Sequence, residues 1–172
     1  LILDQDVDFL TIILEELNAE MAENNVYADV ILIGGLLGKY LLKDEFRETI
    51  DIDFMVKEVV NDSSFRKVLA KFYIDEVTVI EIPPPEEIKF AETLRFSNLN
   101  VHIPTIEYFA LSKLFSTRQK DEEDLKETGI LKHSNIPELV NMIDDYKDYV
   151  LNPNNKDYNF HNFDDYLQIH GI

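Results

Sequence analysis

A chain of 172 residues with 34 Asp and Glu against 16 Lys and Arg has a formal charge of −18; such an acid excess repels nucleic-acid phosphates and anionic lipid and sets general phosphate-backbone binding aside. Its 45% hydrophobic and 11% aromatic content is enough for one well-filled core and excludes a disordered polyelectrolyte. No cysteine is present, which excludes disulfides, thiolate metal sites and a catalytic thiol and fits a reducing cytoplasm.

The opening Leu1-Ile-Leu-Asp4 meets acidic residues at once and does not read as a signal peptide. Leu10, Ile13, Leu14, Leu17 and Met21 then recur at steps of three and four, which predicts a helix over 5–23 packed on one face. Val30-Ile-Leu-Ile33 predicts a short strand that stops at Gly34-Gly35, and Leu36 to Leu42 predicts a helix. This longest apolar stretch, Val30 to Leu37, is far short of the about 20 residues of a membrane span. After a charged loop, Ile50-Asp-Ile-Asp-Phe-Met-Val56 alternates as a second strand. A helix follows over 62–72 with Asp62 or Ser63 as N-cap. Glu76 to Ile82 predicts a third strand closed by Pro83-Pro84-Pro85, and Leu99 to Ile103 a further one. Thr105 is the expected N-cap of a helix running to about Glu127, where Thr128-Gly129 stops it. Pro137 to Leu151 forms a last long helix, followed by an Asn-rich loop and a short helix around 163–169. The order predicts an α/β (α+β) chain, with a mixed-sheet core over 1–103 and a helical segment over 104–172 packed on it.

Three features bear on chemistry. Side chains two apart on a strand share a face, so Asp51 and Asp53 stand side by side, with Ile50, Ile52 and Phe54 opposite. Two ionised carboxylates so placed repel, and either a proton or a divalent cation such as Mg²⁺ relieves them; the bland alternative is a wet acidic strand face. Gly34-Gly35, between strand and helix, leaves backbone N–H groups and a helix N-terminus open to a phosphate, or is only a tight connection. Lys113 sits in a turn that is apolar nearly all round, and either snorkels to water or meets a buried anion. Arg118, Asp121 and Asp124 near it read equally well as a surface ion-pair network. His102, His133, His161 and His170 show no zinc spacing.

Gly34-Gly35, followed by Arg47-Glu-Thr49-Ile-Asp51-Ile-Asp53 in an R-x-T-x-D-x-D arrangement, resembles the nucleotidyltransferase superfamily related to DNA polymerase beta. Phe96-Ser-Asn-Leu99-Asn-Val101 and the run Lys113, Arg118, Asp121, Asp124 are similar to bacterial members akin to AbiEii-type toxins. The resemblance implies a nucleotidyltransferase fold and transfer of a nucleotidyl group from an NTP, with Mg²⁺ or Mn²⁺, to an acceptor. It assigns phosphate binding to Gly34, Gly35, Arg47 and Thr49, metal binding to Asp51 and Asp53, and catalytic parts to Asp51, Asp53, Lys113 and Asp121. A third carboxylate belongs on a later strand, where the best slot, Val77-Thr78-Val79, holds threonine, and Glu76 and Glu81 fall on opposite faces. The expected partners are a nucleotide and an antitoxin or other basic protein, with an RNA acceptor disfavoured by charge. Nucleotide binding without turnover and an acidic interaction module are the alternatives.

Overall fold

The computed structural model describes residues 4–77 and 84–172. Its elements form two compact units, one of Leu1–Asp44, Glu48–Val79 and Phe90–Pro104, the other of Glu45–Arg47, Ile80–Lys89 and Thr105–Ile172.

In the first unit, α1 (Asp4–Glu23) buries Leu10, Leu14, Leu17 and Met21 of the predicted stripe and half-buries Ile13, each fully buried side chain contributing about 1.5–3 kcal/mol of transfer free energy. β1 (Tyr27–Ile33) runs into α2 (Gly34–Leu42) with no intervening loop. Gly34 takes φ +73°, a left-handed turn that a side chain resists. β2 (Asp53–Val60) leads to α3 (Asp62–Lys71), then β3 (Asp75–Glu76), β4 (Phe90–Arg95) and β5 (Leu99–Pro104). These build the expected mixed sheet, in the order β3-β2-β1-β5-β4. β1 pairs antiparallel with β2 and parallel with β5, β2 pairs parallel with β3, and β4 pairs antiparallel with β5.

Several expectations shift. β2 begins at Asp53 rather than Ile50 and extends to Val60; Asp51 precedes it, and Ile50 is 79% exposed instead of packed. Ile52 is buried between exposed Asp51 and half-buried Asp53, so the alternation still holds from 51 to 54. The residue before α3 is Asn61, not Asp62 or Ser63, in the left-handed conformation at φ 72°. Its amide donates to the carbonyl of Asn25 at 3.2 Å instead of capping the helix. β4 had no signal in the sequence: it is an edge strand with a register shift between Phe90 and Glu92, half exposed along its length, so its apolar residues do not alternate. The third strand spans Asp75–Glu76, and the Val77 N–H still donates to the Phe54 carbonyl at 2.8 Å; residues 78–82 of its expected span, with Thr78 and Glu81, lie outside the described residues.

The second unit holds α4 (Ile106–Leu114), α5 (Gln119–Glu127), α6 (Ile130–His133), α7 (Ile136–Tyr146) and α8 (Phe163–Ile169). Thr105 caps α4 as expected, its hydroxyl accepting from the Tyr108 N–H at 3.3 Å. The single helix expected to Glu127 is broken. The Ser116 hydroxyl takes the Arg118 N–H at 3.0 Å, offering the backbone a turn in place of the next helical bond. Phe160, Phe163 and Tyr166 are buried, while Tyr149 is exposed.

Candidate active site

Antiparallel register sets Asp53 opposite Ile33, the residue before the glycine turn. The Asp53 carboxylate therefore lies against Gly34: a Cβ there would stand 2.6 Å from Asp53 Oδ2. A Cβ on Gly35 would stand 2.9 Å from Thr49 Oγ1. Both glycines are needed for close approach, and the segment 49–53 brings a hydroxyl and a carboxylate onto the start of α2, where unpaired N–H groups and the helix dipole favour negative charge.

One acidic residue that sequence reasoning passed over joins this group. Asp75 is the parallel register partner of Asp53, fixed by the Asp75 N–H donating to the Ile52 carbonyl at 3.1 Å. Register partners point to the same sheet face, and like charges directly opposite are destabilising until a proton or cation joins them. The strand was expected to open at Glu76, one residue late. The apolar residue Ile74 before Asp75, buried in the structure, is the signal that could have moved it. Asp51, Asp53 and Asp75 are hard oxygen donors of the kind Mg²⁺ takes. Among the described residues no three His, Asp or Glu side chains are already gathered as a cation cage.

The second unit carries the other predicted residues. Lys113 donates to Asp121 Oδ1 at 2.7 Å and lies 3.0 Å from Asp124 Oδ2, with all three side chains buried. Lys113 meets buried carboxylates rather than water, and Asp121 and Asp124 are buried rather than part of a surface ion-pair network. In an unbroken helix, eight residues would separate Lys113 from Asp121 by about 12 Å along the axis; the break at Ser116 brings them together. The Ser116 hydroxyl also donates to Asp121 Oδ2 at 2.5 Å. Arg47 reaches the same cluster, forking onto Asp124 with Nε at 2.8 Å and Nη2 at 3.2 Å. Its segment is held by the Gly129 N–H on the Glu45 carbonyl at 2.9 Å and by buried Phe46, edge-on to Phe109 at 5.6 Å. Two cations and two carboxylates therefore balance in a nearly dry setting, the arrangement that buried charges need. Arg118 is 72% exposed and 3.8 Å from Asp121, a surface contact of little energetic weight. Ser116 carried no signal of a site role in the sequence; with Asp124 it completes the network.

Gly34, Gly35, Thr49, Asp51 and Asp53 thus fall in the first unit, and Arg47, Lys113 and Asp121 in the second. Residues 8–170 match the model of a family described as nucleotidyltransferase of unknown function, DUF6036. No curated protein and no solved structure shows a significant match to the chain.

Proposed function

The chain belongs to this family of nucleotidyltransferases of unknown function, and from that premise we propose that it transfers a nucleotidyl group from an NTP, bound with Mg²⁺ or Mn²⁺, to an acceptor hydroxyl. The observation that carries the reading is the close approach of Thr49 and Asp53 to the two glycines. The start of α2 and the Thr49 hydroxyl hold phosphate oxygens. Asp51 and Asp53 hold the divalent cation, with Asp75 as the third carboxylate. A cation held there neutralises phosphate charge and steadies the departing pyrophosphate. Asp75, which pairs with Asp53 and is exposed to solvent, takes the proton from the acceptor hydroxyl. In the second unit, Asp124 holds Arg47 and Asp121 holds Lys113.

The similarity to AbiEii-type toxins extends this to the toxin of a toxin–antitoxin pair, supported by the burial of Lys113 against Asp121. The absence of a gathered three-acid group among the described residues favours, as a second reading, nucleotide binding without turnover.

The test is a thermal-shift screen of the four NTPs with Mg²⁺ or Mn²⁺ on the wild type and on Asp53→Ala, followed by pyrophosphate release. A shift in the wild type that Asp53→Ala lacks, together with NTP consumption, is expected. A shift without consumption selects the second reading. No shift by any nucleotide at millimolar concentration refutes both.

A further inference from the structure

α2 is apolar along most of its length, with Leu36, Leu37 and Leu42 buried, yet Lys39 is buried among them at 3% exposure. A charge in such a helix costs stability relative to an apolar residue of similar size. Its ammonium donates to Glu48 Oε1 at 2.7 Å, but the Glu48 side chain is 82% exposed. This asymmetry is informative: a carboxylate that stands in water leaves an ion pair at little cost, whereas the lysine is fixed in the helix. Lys39 lies four residues beyond Gly35, on the same helix face and about 6 Å further along the axis. Glu48 precedes Thr49 in sequence, so the contacts Gly35 with Thr49 and Lys39 with Glu48 run side by side one turn apart.

The geometry points to Lys39 as a further ligand for the polyphosphate tail of the substrate, with Glu48 occupying its ammonium until that tail arrives; this rests on the nucleotide reading above. A phosphate seated at the glycine turn continues, through its linked phosphates, along the α2 face that ends at Lys39. The incoming anion displaces the Glu48 carboxylate into solvent, where it already largely lies. Glu48 thereby acts as a competitor that weakens affinity for free phosphate.

Calorimetric titration of the wild type, Glu48→Gln, Lys39→Met and Lys39→Arg with each Mg·NTP and with inorganic tripolyphosphate tests this. Removing Glu48 as competitor should tighten binding about two- to fivefold, the equivalent of releasing one exposed ion pair. Lys39→Met should weaken it about tenfold or more, with Lys39→Arg recovering most of the loss. Because Glu48 is solvated, Lys39→Met strands no buried charge on that partner; if the variant nevertheless fails to fold, the Glu48→Gln titration decides alone. Wild-type nucleotide binding with no tightening in Glu48→Gln, or with full affinity in folded Lys39→Met, overturns the role of Lys39 and leaves the nucleotide reading standing. No binding of any NTP or tripolyphosphate by the wild type and Glu48→Gln overturns the nucleotide reading, and this inference with it.

Discussion

Replacing Lys113 by Met removes a cation that meets both Asp121, at 2.7 Å, and Asp124, at 3.0 Å. Among the described residues, Asp124 keeps the Arg47 fork, but Asp121 keeps only the Ser116 hydroxyl and, at 3.8 Å, the exposed Arg118. The two carboxylates are 7% and 2% exposed, so the variant strands a buried negative charge, a change that costs about 3–5 kcal/mol. That is a large share of the about 5–15 kcal/mol that holds a domain together. Asp121→Asn is gentler. Lys113 then still has Asp124, the amide oxygen still accepts from Ser116, and the loss is that of one charged hydrogen bond, about 1.5–3 kcal/mol. The double variant Lys113→Met/Asp121→Asn restores neutrality and should be less than additive by about 2 kcal/mol, within the usual range for contacting residues. Urea unfolding of the four proteins, with the m-value as the check on two-state behaviour, measures all three numbers. A loss below about 1 kcal/mol in Lys113→Met, or strict additivity in the cycle, would show a hydrated cluster and refute the reasoning.

Gly34→Ala imposes both a left-handed backbone cost of about 1–2 kcal/mol and a clash with the Asp53 carboxylate, whereas Gly171, at φ +70° with open space around it, carries the backbone cost alone. Comparing the two alanine variants by urea unfolding isolates the Asp53 contact, and equal losses would remove it. Asp75→Asn should raise the melting temperature in chelator, by relieving repulsion with Asp53, and should shrink the stabilisation produced by added Mg²⁺; a lower melting temperature in chelator refutes the pairing. Hydrogen bonds from Lys126 and then Tyr166 hold the Glu122 carboxyl below its usual range. The folded state therefore binds that proton less tightly than the unfolded chain. The Glu122 contribution is complete above the unfolded carboxylate pKa and is lost as pH falls through the depressed folded value. Unfolding measured from neutral to acid pH should be less pH-dependent in Glu122→Gln, and an unchanged slope counts against the assignment.

What the sequence made legible follows from local physics. α1 shows in its three-four spacing, the β1 to α2 corner in two adjacent glycines, and the start of α4 in Thr105, because each depends on residues near in sequence. β4 was hidden because none of its residues is fully buried, so no face demands a run of alternating apolar residues. The break at Ser116 was hidden because no glycine or proline marks it; the S-x-x-Q spacing of Ser116 and Gln119, a capping-box pattern, was its local trace. The candidate site was legible as residue types and only partly as geometry. Gly34, Gly35 and Asp53 could be placed together by motif, but Asp75 required the register of β3 on β2, and the hold of Asp124 on Arg47 spans 77 positions.

The Asn159 side chain donates to the Lys113 carbonyl at 3.0 Å, and its own N–H donates to the Ser116 carbonyl at 3.0 Å. The last turn of α4 is thus closed by a residue 46 positions downstream. Closing a loop of that length has an entropic cost that neighbouring residues do not bear, so the end of α4 depends on a distant residue, whereas Lys113 meets Asp121 only 8 positions away. The charge pair is local in sequence, and the backbone beneath it is held from afar.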